Sequence, residues 1–93
     1  MSNVIDSWTL NYRPESGGRI MGSLAVTEAT VEFSSGDLED DIVVPRAEIR
    51  NAEAAKRGLL KQVVVNTNDG RRYVFEYGLL SVRKIVDLIS GGT

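Results

Sequence analysis

The sequence predicts a mainly β domain, about seven short antiparallel strands followed by one amphipathic helix. Three observations predict it. Apolar and polar residues alternate along most of the chain, the period of a half-buried strand. Glycine- and aspartate-bearing turn signals separate the alternating runs. Near the end the apolar spacing changes to i, i+3, i+4, i+7, one stripe of a helix.

Trp8, Leu10 and Tyr12 share one side of a first strand, with Thr9 and Asn11 between them. Arg13-Pro14-Glu15-Ser16-Gly17-Gly18 is a loop. Ile20, Gly22, Leu24 and Val26 then line one face of a second strand. Thr27-Glu28-Ala29 is a tight connection to a third strand, where Val31 and Phe33 alternate with Thr30, Glu32 and Ser34. Ser34-Ser35-Gly36-Asp37 opens a loop that runs into the acidic cluster Asp37, Glu39, Asp40 and Asp41. Ile42-Val43-Val44, closed by Pro45, is a fourth strand.

Residues 49–56 read as a fifth strand, with Ile49, Asn51 and Glu53 set against Arg50, Ala52 and Ala54. Their alanines also suit a helix of one or two turns, which is the alternative. Val63 and Val65 mark a sixth strand, and Tyr73, Phe75 and Tyr77 a seventh. Asn68-Asp69-Gly70 joins these two. An Asp-Gly pair favours positive φ at both central turn positions, so a hairpin is expected there. Val82, Ile85, Val86 and Ile89 form the helical stripe, with Ser81 as N-cap and Gly91-Gly92 as the stop. A lone helix with an apolar stripe has to cover an open end or face of the sheet.

Composition narrows the function. The 93 residues suit one domain, and 42% hydrophobic with 26% charged residues is ordinary for a globular chain. There is no cysteine, which excludes disulfides, zinc-thiolate sites and thiol nucleophiles. There is no histidine, the usual general base and metal ligand. No catalytic residue, metal or cofactor is therefore expected. With no signal peptide and no membrane-spanning apolar run, the expected location is the cytoplasm, with any membrane contact peripheral to the inner face. Charge is split along the chain. The first 45 residues hold eight acids and two arginines, and the rest nine bases and five acids.

Several stretches carry a resemblance. They are Gly22-Ser23-Leu24-Ala25-Val26-Thr27 with Val31-Glu32-Phe33, then Ile42-Val43-Val44-Pro45-Arg46-Ala47-Glu48-Ile49, then residues 63–75 with their Asp69-Gly70 turn and Tyr73-Val74-Phe75. Their order resembles the GRAM branch of the pleckstrin-homology-like domains, small bacterial members in particular, over residues 5 to 90. The resemblance implies a PH-like partly open barrel plugged by the helix. It implies a non-catalytic binding module acting by protein–protein contact or self-association, or by contact with a membrane lipid surface.

Candidate sites follow from the basic residues. The lysine and basic–x–arginine motif of phosphoinositide binders is absent, since Ile20-Met21 follows Arg19. Arg13, Arg19, Arg71 and Arg72 are expected to reach one mouth of the barrel, either as an anion-binding cluster or as charges balancing the acidic loop. Lys56, Arg57 and Lys61 flank Gly58-Leu59-Leu60, a basic hairpin tip whose leucines suit insertion into an anionic lipid surface. The competing reading folds those leucines onto the core or a second subunit. Nucleic acid is not an expected partner. No Lys or Arg interleaves Tyr73, Phe75 and Tyr77, and the pI is near 5.0.

Overall fold

The computed structural model describes residues 4–15, 17–36 and 41–90. Its strands are β1 (Val4–Arg13), β2 (Ile20–Thr27), β3 (Thr30–Ser34), β4 (Ile42–Pro45), β5 (Ile49–Arg57), β6 (Leu60–Thr67) and β7 (Arg72–Glu76). A 3-10 turn, Arg46–Glu48, joins β4 to β5, and one helix, α1 (Arg83–Ser90), ends the order. The strands form a single antiparallel sheet in the order β4-β3-β2-β1-β7-β6-β5. This is the mainly β architecture the sequence predicts. Ser16, most of the acidic loop (residues 37–40) and Gly91-Gly92 lie outside the described residues.

Aromatic packing shows that the sheet curls. β3 and β7 are three strand steps apart, roughly 14 Å across a flat sheet. Yet the Phe33 and Phe75 ring centroids are 5.5 Å apart, with Tyr12 of β1 packed 5.7 Å and 5.5 Å from them. One cluster holds Leu24, Val26 and Phe33 from one wing and Ala52, Val63, Val65 and Phe75 from the other. Gly22 makes the curl possible. A Cβ there would lie 2.3 Å from the Ser34 carbonyl oxygen and 2.7 Å from Phe33 Cζ. The glycine thus provides the space into which the Phe33 ring folds.

The sheet stays open because its edge strands, β4 and β5, do not pair with each other among the described residues. They meet at one corner, through the 3-10 turn. There the Thr27 hydroxyl accepts hydrogen bonds from the Ala29 and Thr30 N–H groups at 3.2 and 2.8 Å. The two-residue loop between β2 and β3 has no positive φ, so it lacks the twist of the preferred hairpin turns. Thr27, itself buried, takes the N–H groups that such a loop leaves over. Arg46 then donates from Nε to the Thr27 carbonyl at 2.8 Å and from Nη1 to the Ile89 carbonyl at 3.2 Å. One guanidinium therefore ties β2 to the last turn of α1, where the helix dipole also favours positive charge.

The helix covers the curled sheet as its stripe predicts. Val82, Ile85 and Ile89 are buried in the shared core, with Val86 packed against it. The first helical bond runs from the Val86 N–H to the Val82 carbonyl, so Val82 takes the cap position and the expected cap, Ser81, sits one residue earlier, where its Oγ accepts from the Arg83 N–H at 3.4 Å.

Two local expectations change. In the turn after β6, Gly70 has φ of +88° and Asp69 stays negative. The Asp69 side chain braces this turn, accepting from both the Thr67 hydroxyl and the Arg71 N–H. In β5 the register slips between Ile49 and Asn51. The bulge at Arg50 puts Ile49 and Ala52, three apart, toward the same core. Residues 49–56 lie in this strand, and the short helix that their alanines would suit is not formed.

Candidate functional site

The β5–β6 hairpin is the place to start, because register decides which way its charges face. Arg57 pairs with Leu60 across a two-residue loop, Gly58-Leu59, and Gly58 has φ of +62°. With glycine in the first position and Leu59 at negative φ, this is a II′ turn, which matches the strand twist. Leu59 projects from it, 81% exposed. Alternation then sends Lys56 and Lys61, an opposed pair, to the side that carries the core, and Arg57 and Leu60 to the outer face. The expected basic tip is thereby divided between two faces, and its second leucine is half-buried in β6.

On the core side, past the last buried residues, the hairpin and α1 diverge into a groove of about 670 Å³. Lys56 and Lys61 form one wall with Ala54, and Leu79, Arg83 and Val86 the other. The loop before α1 is held against the hairpin by two backbone bonds. Tyr77 N–H donates to Lys61 O at 2.9 Å, and Lys61 N–H to Gly78 O at 2.7 Å. This holds Leu79, 70% exposed, beside the lysines. The close approach of the Lys56 side chain, a second donor, and then the charge of that lysine hold the Lys61 pKa below its ordinary value. Lys56, Lys61 and Arg83 have no carboxylate partner among the described residues.

The outer face gathers a second set. Arg13, Arg57 and Arg72 line a shallow hollow of about 280 Å³ with Glu15, Gln62 and Val74. Arg13 is committed to structure. Its Nη1 lies 3.5 Å from Oε1 of the buried Glu76, whose other oxygen accepts from Gln62 Nε2 at 2.8 Å. Of the four arginines expected at one mouth, the structure brings Arg13 and Arg72 together here, joined by Arg57. Arg71 turns away to Asp69 at 3.4 Å. A hydrogen bond with Tyr73, followed by the Asp69 charge, raises its pKa. Arg19 is exposed in the loop before β2 and lines neither hollow.

Sequence reasoning passed over Leu79 and Leu80. A signal for them existed. They follow Gly78, precede the Ser81 cap and lie outside the helical stripe, so no buried role accounted for them. Both are exposed, and Leu80 borders a smaller hollow with Met21. Among the described residues no helix is long and apolar enough to cross a membrane.

No sequence family and no curated protein matches the chain. Among solved structures it is similar to the C-terminal domain of an unknown protein from Leishmania infantum, at 17% identity and a TM-score of 0.80. The likeness spans 95% of this chain and 82% of that one. At such identity it shows a shared fold and nothing of a ligand.

Proposed function

We propose that the protein is a small non-catalytic binding module of the GRAM/pleckstrin-homology-like kind, acting through protein–protein contact at the groove between α1 and the β5–β6 hairpin. The observation that carries this reading is the groove's content. Three cations with no carboxylate partner among the described residues, and an exposed leucine, surround a concavity beside the edge strand of the sheet. Like charges held together weaken a fold, so their grouping suits a surface completed by another molecule. The strand count, the single covering helix and the stretches that resemble GRAM sequences support the family placement. The module needs no metal, cofactor or catalytic residue.

Site-specific photo-crosslinking tests the reading. A photoreactive residue at position 83, in the groove wall, is compared in the native host with one at position 43, on the far edge. The expected result is a discrete adduct from position 83 alone. An adduct at twice the chain mass assigns the contact to self-association. Equal or absent adducts at both positions reject the groove.

A second reading is favoured by Leu59, which stands exposed at the hairpin tip with Lys56, Arg57, Leu60 and Lys61 behind it. This is peripheral contact with an anionic membrane on its cytoplasmic face. Each cation near such a surface contributes about 1 kcal/mol. Co-sedimentation with anionic and neutral liposomes at low and high salt checks it. Salt-sensitive binding that Lys56→Glu/Arg57→Glu/Leu59→Ser abolishes supports it, and no binding under any condition removes it.

A further inference from the structure

We infer that the segment seated in this groove is an extended acidic peptide, which pairs with the free edge of β5 and sets its carboxylates against Lys56, Lys61 and Arg83. The inference rests on the groove being the contact surface, and it names the chemistry of what binds there.

The extended form follows from the sheet. β5 is nine residues long, pairs with β6 on one side and is the last strand of the order. Its Ala54–Lys56 stretch lines the groove, so a strand added at that edge would run along it. Strand addition draws affinity from main-chain hydrogen bonds and specificity from alternate side chains. The other edge is a poorer acceptor, because β4 has four residues and ends in Pro45. A hollow near 670 Å³ lies within the range of ligand sites.

The acidic character follows from charge. The groove lining holds three cations and one carboxylate, Asp87. Lys56 and Lys61 stand directly opposite each other, an arrangement that costs stability in an antiparallel pair. The same repulsion from Lys56 lowers the pKa of Lys61. A carboxylate between the two ammonium groups reverses its sign. A second copy of this surface would instead bring lysine against lysine, so the groove disfavours self-pairing. Alternate residues of a strand added to β5 point to the core side, where Lys56, Lys61, Leu79 and Val86 all line the groove, so every second residue of the peptide is the one read there.

The test is selection from a random seven-residue peptide library on the folded protein, followed by amide chemical-shift mapping of the winners. The expected winners carry Asp or Glu at alternating positions and shift amides of β5 and α1. Their affinity should drop at least tenfold in Lys56→Glu/Lys61→Glu, whose circular dichroism should match the parent, and less in Lys56→Gln/Lys61→Gln. Winners of neutral or basic character that shift the same amides would overturn the acidic assignment and leave the groove reading standing. No enrichment, or shifts confined to other surfaces, would overturn both.

Discussion

Two regions of this small domain treat their charged and polar groups in opposite ways. At the corner where β2, the 3-10 turn and the end of α1 meet, side chains bond back into the fold. The Thr27 hydroxyl takes two backbone N–H groups and Arg46 donates to two carbonyls from distant elements. At the groove, Lys56, Lys61 and Arg83 stand together with no carboxylate partner among the described residues. The first arrangement closes an open sheet at the point where its edges meet. The second contributes nothing to closure, and its lysines repel. The difference separates charge that builds the fold from charge that is presented by it.

The comparison breaks first at Arg46. Arg46→Met removes both side-chain donors to buried-side carbonyls and frees the last turn of α1 from β2. Hydrogen bonds to a charged group are worth about 1.5–3 kcal/mol each; two are lost, but removing the buried Nη2, which has no partner among the described residues, offsets part of this, so a loss of roughly 2–4 kcal/mol is expected in urea unfolding. A loss under 1 kcal/mol would show that the corner does not hold the wings together. Thr27→Val comes next. It keeps the shape but leaves the Ala29 and Thr30 N–H groups without their acceptor, at a cost of about 1–3 kcal/mol. By contrast Leu79→Ser, in the groove, should move stability by less than about 0.5 kcal/mol while weakening any partner.

The corner and the groove were not equally legible in the sequence. Strand alternation, the Asp69-Gly70 turn and the stripe of Val82, Ile85, Val86 and Ile89 are local patterns, and each lands where the structure has a strand, a turn or a helix. The sites depend on register and curl, which no local pattern carries. Gly58 marks the hairpin, but the pairing of Lys56 with Lys61 decides that Arg57 faces the other way. Arg13 and Arg57 are 44 positions apart, and the sheet order is what puts them around one hollow. Thr27 and Arg46 carried no sequence signal for their joint role, because Arg46 reaches the Thr27 and Ile89 carbonyls together only once the curl brings β2 and the end of α1 side by side. The slip at Arg50 left the β5 strand legible but hid which of its residues share the core face, since a bulge shifts the alternation by one.

Two titrations sharpen the contrast at smaller scale. Asp69 accepts from the Thr67 hydroxyl and the Arg71 N–H, which hold its carboxyl below the ordinary value of 3.8. Asp6 is lowered likewise, first by its hydrogen bond from Lys84. A depressed carboxylate contributes stability that is complete above its unfolded value and is lost as pH falls through the folded one. Thermal unfolding should therefore show Tm falling in acid, with a shallower fall in Asp69→Asn; equal slopes would remove Asp69 from the account. Lys61 shares that direction, but its lowered pKa marks a charged form the fold disfavours, a cost at neutral pH where the carboxylates give a gain. Its pKa lies below 10.5, so the folded chain binds fewer protons than the unfolded one between the two values, and stability should rise with pH across that window. Lys61→Gln should abolish the rise and leave the protein slightly more stable at neutral pH, with Lys56→Gln doing the same. A fall in stability from either change would mean that the lysines hold the hairpin together and belong with the corner. A gain would mean that the fold tolerates their repulsion, as a surface waiting for an anion should.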